Sequence, residues 1–362
     1  MSNKQLKILL TGGGTFGSVT PLVAVKEELD KDSKNYKALW VGTQKGPEKK
    51  FIEKQGIEFK AIFSGKLRRY FDFRNFIDPF LILFGFFQSF TIILKFKPSV
   101  ILSAGGFVSV PVALAGFILR VPILIHQMDI RPGLANKIMA PLAVKITVGF
   151  EKSLQDYPQK KTILTGNPVR QSLKAVESEK SKVKSKLNFS NNLPVILIMG
   201  GGTGAMAINK LVKESLEELT KFCQIIHMTG KNKSSQPSNF KSQISNYHPF
   251  EFLDNMPEIY AITDAVISRC GIGSLSELAF LGKPSISIPM PDSHQEENAK
   301  IFKDAKAIIA LDQKKLSSND FIANIKEILY NKNLSQELSK NIKKLAGQDS
   351  AKKITKIIYE VI

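Results

Sequence analysis

Short apolar runs of strand length recur along the chain, and segments with helical spacing separate them. Two of the runs are close copies. Lys7-Ile8-Leu9-Leu10-Thr11-Gly12-Gly13-Gly14-Thr15 is answered 188 positions later by Val195-Ile196-Leu197-Ile198-Met199-Gly200-Gly201-Gly202-Thr203. Each ends in glycines and leads into a candidate helix, at 21–29 and 207–219. A continuous apolar run bounded by glycine reads as a buried strand. Two similar α/β domains in tandem are therefore expected, each opening on its first parallel strand. Further strands are expected at 38–41, 100–102, 123–126, 146–148 and 162–164, then at 224–228, 250–252, 265–268 and 285–288. Their alternation with helical segments is the pattern of parallel βαβ units.

A polar, lysine-rich stretch at 174–192 follows Gly166-Asn167-Pro168-Val169-Arg170 and marks the domain boundary. The expected layout is one Rossmann-like domain over 1–165, a second over 166–345 and an amphipathic C-terminal helix within 346–362. The pattern does not say which domain that helix packs on. The segment 76–94 is apolar over almost its whole length and is flanked by Arg68, Arg69, Arg74, Lys95 and Lys97. It is nearly long enough to span a bilayer, yet crossing would separate two strands of one sheet. A buried crossover helix is the first expectation, and a helix whose phenylalanine face dips into a membrane is the alternative.

Composition narrows the classes. A chain of 362 residues that is 43% hydrophobic and 23% charged has room for two cores, and it is neither low-complexity nor disordered. The balance of 51 basic against 32 acidic residues, net +19, calls for an anionic partner such as nucleic acid, a phosphorylated substrate or a membrane surface. A lysine-rich proteome would give the same balance. Cys223 and Cys270 follow no ligand spacing, so neither a disulfide framework nor a zinc module is expected and a reducing compartment fits. The apolar run before Gly12 is too short for a secretory signal.

Gly12-Gly13-Gly14-Thr15-Phe16-Gly17 matches G-x-G-x-x-G, and 200–205 echoes it. Neither following strand ends in the acid that a dinucleotide ribose requires: the positions are Gly42-Thr43 and His227-Met228-Thr229. Gly17-Ser18-Val19 lacks the lysine of a P-loop. What remains is a pair of tight turns whose backbone N–H groups could face an anion or a sugar hydroxyl. A third loop, Arg269-Cys270-Gly271-Ile272-Gly273, joins a strand to a helix start that could stabilise a diphosphate. Ser274 and Glu277 are spaced there as a capping box; alternatively Glu277 accepts hydrogen bonds from a ribose diol. After the next strand, His294, Gln295 and Asn298 supply the mixed donors and acceptors a sugar needs.

Together these motifs resemble the MurG family, the undecaprenyl-diphosphomuramoyl-pentapeptide N-acetylglucosaminyltransferases. The resemblance rests on Gly13–Ser18, Gly105-Gly106-Phe107-Val108-Ser109-Val110-Pro111, the 166–170 segment, 269–277 and His294-Gln295 with Asn298-Ala299, all in family order. It implies an α/β GT-B fold, with two Rossmann-like domains facing a cleft, and inverting transfer with neither metal nor cofactor. The donor, UDP-N-acetylglucosamine, would lie on the C-terminal domain. A lipid-linked muramoyl-pentapeptide diphosphate acceptor would lie on the N-terminal one, at the cytoplasmic face of the cell membrane. The membrane partner would be its anionic inner surface, and no nucleic acid is implied. Glu277 would hold the uridine ribose, and Ile272, Gly273, Ser274, Leu275 and Ser276 the diphosphate. Leu253 would offer backbone groups to uracil, Arg170, Gly202 and Thr203 would lie near the donor phosphates, and Gln295 would bind sugar hydroxyls. Thr15, Phe16 and Gly17 would approach the transferred sugar and the acceptor diphosphate.

The chain departs from the family pattern at several positions. Ser18 stands where the family has a histidine, the usual candidate general base. His126-Gln127-Met128-Asp129 replaces a His-Glu-Gln-Asn run and puts a carboxylate in place of an amide, and Gly202 stands in place of a serine. A sugar hydroxyl needs a positioned base, and unassisted serine is no base at neutral pH. The expected catalytic pair is therefore Asp129 as base, with Ser18 kept as a hydrogen-bonding group. Two alternatives are a related transferase with another lipid acceptor and a catalytically weakened sugar-nucleotide-binding protein.

Overall fold

The computed structural model describes residues 5–32, 35–65, 74–174, 180–201, 204–231, 233 and 245–362. The chain divides into two compact units, residues 1–170 together with 347–362, and residues 171–346.

The first unit is a seven-stranded parallel sheet built from β1 (Leu6–Thr11), β2 (Tyr36–Thr43), β3 (Glu58–Ile62), β4 (Val100–Ser103), β5 (Ile123–Gln127), β6 (Lys145–Val148) and β7 (Thr162–Leu164), in the order β3-β2-β1-β4-β5-β6-β7. Both faces are covered, which is why β1 reads as an unbroken apolar run rather than an alternating one. Ile8 and Leu10 point to one face, where Leu22, Val25 and Leu29 of α1 (Thr20–Lys31) join Ile354, Ile357 and Ile358 of the last helix. Leu9 points to the other face with Ile101 and Ile125, against Ile93 of α3 (Arg74–Phe96) and Val112 and Ala115 of α4 (Ser109–Ile118). The C-terminal helix thus belongs to the first unit, packed on α1. Two shorter helices complete the first unit's larger segment, α2 (Glu48–Lys54) and α5 (Leu134–Met139). The edge strand β3 escapes the hydrophobic pattern because its outward positions are charged: Glu58 pairs with Lys37 at 3.4 Å and Lys60 at 3.3 Å, a common protection of a sheet edge.

The second unit includes the short helix α6 (Lys180–Lys186) ahead of its sheet and repeats the plan with six parallel strands in the order β10-β9-β8-β11-β12-β13. They are β8 (Val195–Met199), β9 (Gln224–Met228), β10 (Tyr247–Phe250), β11 (Ala265–Ser268), β12 (Ser285–Ser287) and β13 (Ile309–Ala310), connected by α7 (Met206–Leu219), α8 (Met256–Ile262), α9 (Ile272–Leu281) and α10 (Gln295–Asp304) and followed by α11 (Ser318–Tyr330) and α12 (Lys332–Lys344), before α13 (Ser350–Glu360) returns the chain to the first unit. Ile196, Ile198, Ile225 and Ile267 form its core with Ile208, Val212 and Leu216 of α7 and Phe321, Ile325 and Ile328 of α11. Strand β10 lies at 247–250 rather than the expected 250–252, and Glu251 and Phe252 already belong to the loop beyond it. In each sheet the order turns back beside the first strand, at β1/β4 and β8/β11, and loops at such switch points carry ligands in open α/β sheets.

The expectation of a buried crossover helix at 76–94 fails. Helix α3 spans 23 residues, with Pro79 near its start. Over 78–96 its mean hydropathy is 1.7, yet only 17% of that window is buried. Ser89 and Ile93 face inward, whereas Phe80, Leu83, Phe84, Phe87 and Leu94 form an exposed stripe, the phenylalanines about 60% exposed. The spacing 80, 83/84, 87, 94 places these side chains on one helical face. By length and composition α3 could cross a bilayer, but it connects β3 to β4 within one sheet. Arg68 and Arg69 lie outside the described residues.

Candidate functional site

In the first unit the glycine loop after β1 is closed from within. Gly14 has φ +82°, and a Cβ there would lie 2.6 Å from the Phe107 ring. Gly106 has φ +89°, and its Cβ would crowd Gly13 O and Ser18 Oγ at 3.0 and 3.2 Å. The two glycine runs therefore interlock through contacts that side chains would obstruct. Ser18 is buried, and its Oγ accepts from Gly13 N–H at 3.0 Å. It staples the turn. Behind the loop lies Glu48, fully buried at the start of α2. Its Oε1 accepts from Thr43 N–H at 2.8 Å and from the Thr43 hydroxyl, and its Oε2 accepts from Gly14 N–H at 3.3 Å. Phe51, one turn further along α2, meets Phe16 edge-on at 5.5 Å between centroids, and the Arg170 guanidinium lies over the Phe51 ring at 5.5 Å. Arg170 thus packs behind the first glycine loop, at the boundary of the first unit.

At the end of β5, burial pushes His126 down to about 4, so the ring is neutral at physiological pH. Asn167 donates from Nδ2 to Met128 O at 3.3 Å, which leaves its Oδ1 to accept from His126 Nε2–H at 3.1 Å; Thr147 Oγ1 meets Nδ1 at 2.9 Å. Gln127 uses both ends of its amide. Nε2 donates to Asp129 O and Arg131 O at 2.7 and 3.0 Å, and Oε1 accepts from Asn136 and Tyr157 at 2.6 and 3.1 Å. With Ser153 bonded to Ile130 O at 2.8 Å, the whole backbone of the Asp129 loop is clamped. Asp129 itself is half-buried.

In the second unit, α9 starts at Ile272 with Gly271 as its N-cap, and no side chain caps it. The expected capping box between Ser274 and Glu277 does not form, because both residues lie inside the helix. The unfilled N–H groups of the first turn are left for water or an anion. Ile272 and Leu275 are buried in the core and Ser276 is nearly so, while Gly273 and Ser274 are half-exposed. The loop before the helix is held by Asn298, whose Nδ2 donates to Cys270 O at 3.0 Å, and by Arg269, which reaches Ile288 O, Pro289 O and Gln313 at 3.0, 3.1 and 2.6 Å. Burial lifts the Cys270 thiol to about 12, so it is inert as a nucleophile. Tyr260 of α8 donates to Glu277 Oε2 at 3.1 Å. Leu253 is buried in the loop before α8. Gln295 accepts from Met290 N–H at 3.0 Å and closes the turn that precedes α10, while His294 is exposed. At the second glycine loop, Lys233 Nζ donates to Gly204 O at 3.2 Å and Asn209 bridges Thr229 O and Lys233 O at 3.0 and 3.2 Å. Gly202 and Thr203 lie outside the described residues.

Residues 8–148 match the glycosyltransferase family 28 N-terminal domain, and residues 195–354 match the glycosyltransferase family 28 C-terminal domain. The chain belongs to glycosyltransferase family 28. A curated relative from Bacillus anthracis, named UDP-N-acetylglucosamine–N-acetylmuramyl-(pentapeptide) pyrophosphoryl-undecaprenol N-acetylglucosamine transferase 2, is 40% identical over 359 residues, covering 98% of this chain and 99% of its own. One from Clostridium botulinum, of the same name without the number, is 37% identical over 360 residues, covering 97% and 98%. Among solved structures, Acinetobacter baumannii MurG aligns with a TM-score of 0.70 at 21% identity, covering 98% of this chain and 99% of that one. The Neisseria meningitidis UDP-GlcNAc 2-epimerase bound to UDP-GlcNAc aligns at 0.74 and 16%, covering 98% and 100%. At these identities the two structures speak for the fold, which is GT-B with two Rossmann-like domains.

The expected MurG resemblance and α/β fold class are thus borne out. Within this family 28 chain, Thr15, Phe16, Gly17, Ser18 and Arg170 gather around one loop of the first unit, and Asp129 lies on a separately clamped loop of the same unit. Leu253, Ile272–Ser276, Glu277 and Gln295 belong to loops and helix starts of the second. Glu48, Tyr260 and Lys233 escape sequence reasoning as members of these loops, and Gln127, read there only as part of the run before Asp129, is not foreseen as the clamp of that loop. Glu48 had a weak signal, an acid five residues beyond the second strand where the dinucleotide pattern would place one at the strand's end. Tyr260 had none.

Proposed function

We propose that this chain transfers N-acetylglucosamine from UDP-N-acetylglucosamine to a muramoyl-pentapeptide diphospho-undecaprenol acceptor, with inversion at the anomeric carbon. The observation that carries the reading is 40% identity, across nearly the whole of both chains, to a transferase bearing that name. The local chemistry of the second unit agrees with it. The uncapped first turn of α9 offers backbone N–H groups to the donor diphosphate, where negative charge grows as UDP departs. Glu277, held by Tyr260, accepts from the ribose hydroxyls. Leu253 presents backbone groups to uracil, and the Gln295 amide meets the sugar.

In the reaction an acceptor hydroxyl oxygen attacks the anomeric carbon while the bond from that carbon to the β-phosphate oxygen of UDP breaks. The hydroxyl proton goes to Asp129, and the leaving oxygen carries its electron pair away with UDP. Asp129 takes the base role, on a loop whose backbone Gln127 fixes, and Ser18, whose Oγ accepts from Gly13 N–H, serves as a hydrogen-bonding group of the first loop. A lipid acceptor calls for a membrane, and in this reading the reaction runs at its cytoplasmic face. There the exposed phenylalanine stripe of α3 enters the interface and the basic excess meets anionic lipid, each nearby cation adding about 1 kcal/mol. The test is a transfer assay with UDP-N-acetylglucosamine and the muramoyl-pentapeptide diphospholipid. Formation of the disaccharide lipid supports the reading. Donor binding without transfer to this acceptor would leave a transferase of another acceptor or a sugar-nucleotide binder.

A further inference from the structure

We infer that Glu48 is a positioning residue for the first glycine loop, setting the shape in which Thr15, Phe16 and Gly17 meet substrate; the kinetic part of this inference rests on the function proposed above. Glu48 is a fully buried acid outside every motif that carries the family resemblance. Three donors converge on its two oxygens: Thr43 N–H and the Thr43 hydroxyl on Oε1, and Gly14 N–H on Oε2. Only a carboxylate matches that set. An amide of the same size has one acceptor oxygen, so its NH2 would face a donor hydrogen on one side or the other. The fit is also steric, since a Cβ at Gly13 or Gly46 would lie 2.3 or 1.9 Å from a Glu48 oxygen. Glycines therefore let the loop close over the carboxylate.

The same helix braces the loop a second time, one turn on, where Phe51 meets Phe16 edge-on. Glu48 and Phe51 thus hold the loop at Gly14 and Phe16, on either side of Thr15. Gly13 N–H is already spent on Ser18 and Gly14 N–H on Glu48. Those two amides are unavailable to phosphate, and the carboxylate behind them opposes a second negative charge. In its echo in the second unit, among the described residues, a cation rather than an acid meets the backbone, the Lys233 ammonium at Gly204 O.

Glu48→Gln separates a positioning role from a general structural one. Two readouts are taken on the full chain: steady-state transfer kinetics, and amide hydrogen exchange of the 12–18 segment, which needs no acceptor. The expected result is exchange at least tenfold faster in 12–18, kcat reduced 10- to 100-fold, donor KM within twofold of wild type, and an undiminished rise in melting temperature on adding UDP-N-acetylglucosamine. Unchanged exchange, kcat within twofold of wild type, or a donor KM that rises while kcat holds would each overturn the inference. If Glu48→Gln does not melt cooperatively, Thr43→Val removes one of the three donors and is expected to lower kcat 3- to 10-fold with the same split; no change in kcat overturns the inference. Absence of transfer in the wild-type chain would instead overturn the proposed function, and the exchange rates would still decide the role of Glu48.

Discussion

Tyr260, buried on α8, donates its phenolic hydrogen bond to Glu277 Oε2 at 3.1 Å. The contact joins two consecutive helices of the second unit and turns a half-buried carboxylate on α9 into a group of fixed direction. With Tyr260 holding one oxygen, Glu277 can meet a ribose diol without first losing rotamer freedom, which lowers the entropic cost of binding. Removing the phenol oxygen should therefore weaken donor binding and leave chemistry alone. For Tyr260→Phe, donor KM is expected to rise about 3- to 10-fold, the equivalent of about 1 kcal/mol for one hydrogen bond, with kcat within twofold. Steady-state kinetics at saturating acceptor measures both.

Asp129 carries the proton in the proposed reaction, and its loop backbone is fixed by Gln127 and Ser153. Asp129→Asn keeps the shape and removes the base. Transfer is expected to fall about 100- to 10,000-fold, the range for a positioned general base, while thermal stabilisation by UDP-N-acetylglucosamine is retained. Full turnover in this variant would end the assignment.

The two buried histidines give the fold a pH dependence of definite sign. Burial pushes both His126 and His227 down to about 4 in the folded chain, against an ordinary value of 6.5. The unfolded chain therefore takes up these protons first as pH falls. Their contribution to stability is complete above about pH 6.5, declines between 6.5 and about 4, and falls no further below that, at about 3 kcal/mol for each histidine. Denaturant melts at pH 7 and pH 5 are expected to show the loss, and His227→Gln should remove part of the slope. Equal stability at the two pH values would contradict this account.

Helix α3 presents Phe84 and Phe87 to solvent. Replacing both with glutamate should leave the melting temperature within a few degrees, since both rings are about 60% exposed and the edge-on contact of Phe87 with Phe86 is a small loss, while abolishing most binding to vesicles of anionic phospholipid. Burial of each ring in an interface is worth about 2 kcal/mol, so the double variant is expected to lose at least tenfold in vesicle partition, measured by sedimentation. Unchanged partition would remove α3 as the membrane-facing element.

The doubled βαβ plan was readable because continuous apolar runs such as Ile8–Leu10 and Val195–Met199 are what a sheet covered on both faces demands. The glycine turns were readable for a related reason, since the Gly14 and Gly106 conformations disfavour side chains. Charged edge strand β3 was hidden because its outward residues protect an edge rather than fill a core. The exposed face of α3 was legible only as the alternative to a buried crossover, because hydropathy alone does not distinguish burial in protein from burial elsewhere. Ser274 and Glu277 carried a capping-box spacing, but Gly271 started the helix earlier and placed both residues inside it. The hydrogen bonds of Glu48 and Tyr260 join residues whose proximity comes from sheet order and helix packing, and no local pattern encodes that.

The claim that carries the rest is transfer of a hexose from a uridine diphosphate donor to a lipid diphosphate. It is tested most directly by incubating the purified chain with radiolabelled UDP-N-acetylglucosamine and the muramoyl-pentapeptide diphospholipid in detergent micelles, then following label in the extracted lipid. The account predicts one labelled residue per acceptor, β-linked, with UDP released in equal amount. A chain that melts at a higher temperature in the presence of the donor yet leaves the lipid unlabelled would contradict it.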